Sequence, residues 1–295
     1  MAPAGSLLEQ IAERLTEVST EAVDVEQTTP VGGGSINDAW RLDTNAGRYF
    51  LKTNSADRFP SMFEAEADGL ERLRAAQQLP VPELFGQGED HGTTWLLLQW
   101  LEPGNRKPGF WKTFGEKLAR QHRITQDAFG LERDNYIGSL KQNNAPENDW
   151  PSFYIHQRLE PMLKMARDRR KIQAGMVFRS ERLFSRMDRL FPKEPPALLH
   201  GDLWSGNFLT GPDGEAWLID PAVYYGHREM DLAMSKLFGG FHTAFYEAYI
   251  HEWPLEQDWE ERIPLGQLYP LLVHVNLFGG GYIDQVEAVF RKYTE

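Results

Sequence analysis

The chain has 295 residues, of which 41% are hydrophobic, 25% charged and 12% aromatic. These are the proportions of a folded protein with length enough for one large domain or two lobes, not of a disordered chain. Its formal net charge of −12 argues against a nucleic-acid partner, which calls for a basic stripe, and the lack of any cysteine removes disulfides, thiolate metal sites and a cysteine nucleophile.

Ser6-Leu-Leu-Glu9 has the form of a capping box, and Leu7, Leu8, Ile11, Leu15 and Val18 follow at helical spacing. A short opening helix is expected there. It is not read as a signal peptide, because no basic stretch precedes it and Glu9 and Glu13 interrupt the apolar run. No apolar run approaches the ~20 residues of a membrane-spanning helix. With the absence of cysteine, this fits a cytoplasmic protein with no membrane partner. Residues 23–29, 39–43 and 49–53 read as strands, the last two joined by a hairpin over Thr44-Asn-Ala-Gly47. A helix is expected over 62–76, with Phe63, Leu70 and Leu73 on one side and Pro80 and Pro82 beyond its end. Strands at 83–88 and 94–100 flank the turn Glu89-Asp-His-Gly92. The order is three strands, one helix, two strands.

Glu102-Pro-Gly-Asn105 breaks this pattern. The division expected is an N-terminal lobe over 1–101, a hinge at 102–105 and a mainly helical C-terminal lobe over 106–295. Trp111, Phe114, Leu118 and His122 mark a helix face. A long helical region spans 150–191 with a break near 169–173, short strands fall at 197–199 and 216–219, and helix dominates from 229 to 293. Residues 141–149 are polar and turn-rich, which suits a surface loop or a binding loop alike. The fold class is α+β.

Four groups of residues invite a chemical reading. Gly32-Gly-Gly-Ser35 lies between two strands, either as a flexible turn or as a cradle whose N–H groups, at Gly32, Gly33, Gly34 and Ser35, face phosphate oxygens. It is not a Walker A motif, since no Gly-Lys-Ser/Thr follows. Lys52 lies on a strand, and Glu64 and Glu66 lie on the following helix. A strand Lys paired with a helix Glu orients nucleotide phosphates in kinase-like folds, and Glu66, four residues before Leu70, is the better placed of the two. The most specific signal is Leu198-Leu-His-Gly-Asp-Leu-Trp-Ser-Gly-Asn-Phe-Leu209 with Trp217-Leu-Ile-Asp220. Asp202, Asn207 and Asp220 parallel a kinase's base, its loop amide and its metal carboxylate; Mg²⁺ takes oxygen ligands of this kind together with phosphates. His200 has no second His at ligand spacing and is read as a brace of the loop, Asp231 as a buttress at a helix start. Trp204, between Asp202 and Asn207, either packs or walls an acceptor pocket.

In this order the residues resemble the aminoglycoside-phosphotransferase and choline-kinase superfamily, and within it the fructosamine/ketosamine-3-kinases. The resemblance is carried by Gly32-Gly-Gly-Ser-Ile-Asn37, Met62-Phe-Glu-Ala-Glu66, Asn135-Tyr-Ile-Gly138 with Gln142 and Asn144, the segment 200–207, and Asp220-Pro-Ala-Val-Tyr-Tyr-Gly-His-Arg-Glu-Met-Asp-Leu-Ala233. It implies a two-lobed protein-kinase-like fold with a small antiparallel sheet, ATP, Mg²⁺, and phosphorylation of the O3 hydroxyl of a sugar-amine such as ribulosamine or fructosamine, free or on a lysine, with a link to deglycation. Where some relatives carry Cys in the glycine-rich loop, this chain has Ser35. The family pattern implies adenine on the backbone of Leu98, Gln99, Trp100 and Leu101, phosphates at the glycine loop and Lys52, Mg²⁺ at Asn207 and Asp220, and Asp202 as base. Gln142, Asn144, Trp204, His227 and Glu229 are the acceptor-side candidates, each equally able to serve structure. A kinase for another small amine or sugar (aminoglycoside, choline, methylthio sugar) shares every one of the catalytic positions. A non-catalytic nucleotide-binding regulator is the rival from another class. Nothing in the sequence sets the oligomeric state; a monomer is expected.

Overall fold

The computed structural model describes residues 3–19, 21–32 and 36–295. The chain forms two compact units, Met1–Lys107 with Leu209–Ile219, and Pro108–Phe208 with Asp220–Glu295. No helix among the described residues is long and apolar enough to cross a membrane.

In the first unit, β1 (Val25–Pro30), β2 (Asp38–Thr44), β3 (Gly47–Ser55), β4 (Leu84–Asp90) and β5 (Thr93–Gln99) form an antiparallel sheet of order β1-β2-β3-β5-β4. The β2–β3 hairpin closes at Thr44 and Gly47, where the Thr44 hydroxyl donates to the Gly47 carbonyl at 2.9 Å. The β4–β5 turn is tighter than expected. Pairing runs on to Asp90 and Thr93, and His91 and Gly92 both take the left-handed backbone (φ 47° and 79°) that a two-residue hairpin turn requires. α1 (Gly5–Val18) buries Leu7, Ile11 and Leu15 in a core with Leu42, Leu51, Trp95 and Leu97, and α2 (Met62–Ala75) buries Phe63, Leu70 and Leu73. The expected capping box is absent. The helix begins at Gly5, so Ser6 lies inside it, and its hydroxyl donates to Asp90 Oδ2 at 2.7 Å while Glu9 stays exposed. A carboxylate acceptor makes a stronger bond than a neutral cap, and Asp90 takes the Gln10 amide as well.

The second unit is mainly helical: α3 (Phe110–His122), α4 (Trp150–Phe153), α5 (Glu160–Asp168), α6 (Ala174–Phe184), α7 (Glu229–Leu237), α8 (Thr243–Glu252), α9 (Trp259–Leu277) and α10 (Tyr282–Thr294). Its core draws Phe153, Leu183, Leu268, Leu272, Val275 and Phe290 from four of these helices, α4, α6, α9 and α10, and Leu159 from the stretch between α4 and α5. The break expected near 169–173 separates α5 from α6. A π-helical stretch at Tyr154–Leu159, joining α4 to α5, was not foreseen. Pro161 lacks an N–H for the Gln157 carbonyl, and the Arg158 guanidinium donates to that carbonyl at 3.1 Å instead. Short strands punctuate the helices: β6 (Asn135–Ile137) with β7 (Leu140–Gln142), and β8 (Ala197–Leu199) with β11 (Tyr224–Gly226). Between β8 and β11 the chain forms the hairpin β9 (Phe208–Thr210) and β10 (Ala216–Leu218), most of which belongs to the first unit. There Leu218 N–H donates to the Pro80 carbonyl at 2.9 Å and Gly104 N–H to the Thr210 carbonyl at 3.0 Å.

Candidate active site

In the first unit, β3 carries Lys52 among apolar neighbours and α2 carries Glu66. The Lys52 ammonium meets both Glu66 oxygens, at 2.7 and 2.9 Å; Lys52 is buried and Glu66 is partly so. Of the two candidate carboxylates it is thus Glu66 that Lys52 meets. Leu98 and Gln99 end β5, where Gln99 N–H donates to the Glu83 carbonyl at 2.8 Å. Trp100 leaves the strand and lies against Phe50 and the Arg41 guanidinium, and Leu101 is buried. Gly32 is described, with open space around it; Gly33, Gly34 and Ser35 lie outside the described residues.

In the second unit, the loop 200–207 springs from β8, whose three residues are fully buried. Two successive N–H groups, of His200 and Gly201, donate to the Asp231 carboxylate at 2.7 and 2.9 Å. Asp231 sits in the first turn of α7, where a negative charge suits the helix end. Burial alone would raise its pKa, but the hydrogen bond and charge of His122 and the nearby His200 hold it below the usual carboxylate range. An ionised carboxylate only accepts, so His122 donates from Nε2 at 3.2 Å, while its Nδ1 faces the Tyr249 hydroxyl at 2.8 Å. His122 was noted on the sequence only as part of an apolar helix face. A histidine on such a face, with no exposed side to turn to, was the available signal of a buried polar partner.

Gly201 has a left-handed backbone, φ 83°, and an added Cβ would lie 2.0 Å from the Ala222 carbonyl oxygen. Only glycine fits there. The loop then delivers Asp202. Its carboxylate accepts from Asn207 Nδ2 at 2.9 Å, and the same amide nitrogen reaches the Asp202 carbonyl at 2.9 Å and the Asp220 carbonyl at 3.5 Å. Asp202 keeps part of its surface open, yet protein crowds its carboxyl on most sides. That burial pushes its pKa up to about 7; the Asn207 hydrogen bond opposes the rise, and the charges of Asp220 and Asp231 add to it. Asp220 itself has φ 52°, an uncommon backbone for a residue with a side chain.

Among the described residues no group of three His, Cys, Asp or Glu is spaced to hold a metal alone. The donor set at hand is one carboxylate, Asp220, and one amide oxygen, on Asn207, whose nitrogen is already committed to Asp202. Mg²⁺ suits such a set when phosphate oxygens and water complete its shell.

The five acceptor-side candidates fall into two groups. Trp204 stays in the loop, half-buried, with its ring over Gly206 and 5.7 Å from the Phe238 ring. The other four are buried among protein partners. Gln142 and Asn144 join a network of amides, His227 packs between Trp150 and Phe191, and Glu229 makes a two-pronged ion pair with Arg262 at 2.6 and 2.9 Å.

A family model described as fructosamine kinase matches residues 7–295. The chain is 38% identical over 278 residues to a chloroplastic protein-ribulosamine 3-kinase of Arabidopsis thaliana, covering 92% of this chain and 84% of that one. A crystal structure titled "Putative fructosamine-3-kinase", from Thermobifida fusca, superposes with a TM-score of 0.83 at 38% identity, over 95% of this chain and 98% of that one. The fold extends to aminoglycoside phosphotransferase APH(4)-Ia, solved with AMP-PNP and hygromycin B: TM-score 0.65, 18% identity, 98% of each chain.

Proposed function

The chain belongs to the fructosamine kinase family and is a phosphotransferase, and from that premise we propose that it moves the γ-phosphoryl group of ATP to the O3 hydroxyl of a ketosamine, with Mg²⁺ as cofactor. The observation that carries this reading is Asp202. Asn207 holds its carboxylate at 2.9 Å and reaches the Asp220 carbonyl as well, and burial, which raises the Asp202 pKa, suits the carboxylate to accept a proton.

In this reading Lys52, fixed by Glu66, and the glycine loop at 32–35 bind nucleotide phosphates, and the backbone of residues 98–101 takes the adenine. Asn207 and Asp220 are the residues that would hold Mg²⁺, which when bound offsets charge on the phosphates. Asp202 orients the acceptor hydroxyl and takes its proton as the oxygen bonds to the γ-phosphorus; the bond from that phosphorus to the β–γ bridging oxygen breaks, and ADP leaves with the electron pair. Little covalent work falls to the protein, so positioning and charge stabilisation supply most of the rate. Phosphorylated ketosamines that decompose and release their amine would make the reaction a repair of glycated lysine. The net charge of −12 favours an acceptor carrying a protonated amine.

The test is ADP release with Mg-ATP against ribulose-lysine, fructose-lysine, choline and kanamycin. Turnover on the sugar-amines, lost by at least about a hundredfold in Asp202→Asn, is expected. Turnover on choline or kanamycin alone would replace the acceptor. An Asp202→Asn variant with near-normal turnover would remove the base.

A further inference from the structure

Gln142 and Asn144 face inward, among protein partners. Both are fully buried, on and just after β7, and with Asn135 on β6 they form a closed set of amides. Gln142 Nε2 donates to Asn135 Oδ1 at 2.8 Å and to the Ala222 carbonyl at 3.0 Å, and its Oε1 accepts from the Tyr269 hydroxyl at 2.9 Å. Asn135 Nδ2 donates to the Val223 carbonyl at 2.7 Å, and Asn144 Nδ2 to Asn135 Oδ1 at 3.0 Å. Behind Asn144 stands Arg158 from the π-helical stretch. It too is fully buried, with Nη2 donating to Asn144 Oδ1 at 2.7 Å, Nη1 to the Asn143 carbonyl, and its guanidinium carbon 4.0 Å from the centre of the Tyr224 ring and 4.6 Å from that of Phe153. A guanidinium stacked on aromatic faces keeps a fixed plane, which a lysine in its place would not.

This set grips the backbone of residues 222–223, two residues beyond Asp220. The grip is two-sided. The Ala222 carbonyl takes the Gln142 amide while it lies against Gly201, and Ala222 N–H donates to the His200 carbonyl at 2.9 Å. Asp220, with its left-handed φ of 52°, lies immediately upstream. A backbone in that region persists only where its surroundings over-determine it.

We infer that Gln142 and Asn144, with Asn135 and Arg158, are positioning residues: they clamp the 222–223 backbone against the loop 200–202 and so fix Asp220 relative to Asp202, and they do not touch the acceptor. The inference deepens the phosphotransfer reading above and rests on it for its kinetic consequence, though the clamp itself can be measured on its own. Gln142→Met keeps the bulk and removes both donors and the acceptor.

In the metal-free variant, backbone amides of residues 219–226 exchange with solvent at least about tenfold faster than in the wild type, while those of α10 are unchanged. With ribulose-lysine and Mg-ATP, kcat falls by about ten- to a hundredfold and acceptor KM stays within about twofold, the split expected of a displaced metal carboxylate. Binding of Mn²⁺ with AMP-PNP, followed by electron paramagnetic resonance, weakens in parallel. Tyr269→Phe, which removes only one hydroxyl from the set, shifts exchange and kcat in the same direction by a smaller factor, and it decides the matter if Gln142→Met does not fold. Unchanged exchange at 219–226, or a rise in acceptor KM with kcat intact, would overturn the inference. A wild type silent on every acceptor would defeat the phosphotransfer reading and leave the exchange result to judge the clamp.

Discussion

Replacing Asp202 by Asn probes the electrostatics of its loop without any substrate. Asn keeps a side-chain oxygen to receive the Asn207 amide at 2.9 Å and removes the charge. In the wild type the Asp202 pKa is pushed up from 3.8 to about 7, first by burial, against the Asn207 hydrogen bond, and then by the Asp220 and Asp231 charges. Below about pH 4 the folded and unfolded chains both hold the proton, and the group is neutral in its effect. As pH rises from about 4 to about 7 the unfolded chain releases a proton that the folded chain retains, so stability is lost over that window and the loss is complete above it. At 1.36 kcal/mol per pKa unit, a rise of roughly 3 units costs on the order of 4 kcal/mol at pH 8. Part of the Asp202 surface is open, and solvent screening brings this to about 2 kcal/mol. Metal-free Asp202→Asn should therefore melt about 5 °C higher than wild type at pH 8, and the gap should shrink to about half by pH 5.5. Thermal melts followed by tryptophan fluorescence in EDTA, from about pH 5.5 to 8.5, provide the comparison. A gap that does not change with pH, or a wild type more stable than the variant at pH 8, would refute the reasoning.

Lys52→Met leaves the partly buried Glu66 carboxylate without its ammonium and should cost about 3 kcal/mol, read as a lowered Tm. Adding Glu66→Gln should restore most of that stability and none of the ATP affinity, which a nucleotide titration would show. His227 carries a pKa lowered by burial, despite the carboxylates of Glu229 and Glu194. Below about pH 6.5 the unfolded chain takes up a proton there that the folded chain resists, so stability falls as pH falls. His227→Gln should lose less Tm than wild type between about pH 7.5 and 5.5, and parallel losses in the two proteins would count against this account.

The first unit was largely legible because its signals are local. Alternation, the Thr44–Gly47 turn and the prolines after α2 each act over a few residues, and the five strands and one helix lie where those patterns put them. The pairing of Lys52 with Glu66 was legible too, since strand and helix periodicity fix which side chains face each other. Two departures had other causes, a distant partner and short length. Ser6 gives its hydroxyl to Asp90, 84 residues away, and strands β6, β7, β9 and β11 are three residues each, too short to show a period. The same holds at the loop 200–207. The run of residues announced the loop, its Asp and Asn, and Asp231 as its buttress, while His122 on α3, which donates to Asp231, meets it only in the folded chain. Gln142, Asn144, His227 and Glu229 were acceptor-side candidates, each equally able to serve structure; the sequence has no way to tell a polar side chain that faces a ligand from one spent on its neighbours.

The first unit is built from two separate pieces of chain, and this bears on how the protein can be divided. Asn207 stands just before the segment Leu209–Ile219 and Asp220 just after it. A fragment ending at Lys107 would leave the Pro80 carbonyl and the Gly104 and Lys107 N–H groups without the backbone partners they have in residues 210–218. No single cut yields either unit whole, and recombination between relatives would have to carry both pieces together to preserve them. The two residues assigned to Mg²⁺ are the two ends of that excursion, so a change in its length acts on both at once, without either being mutated.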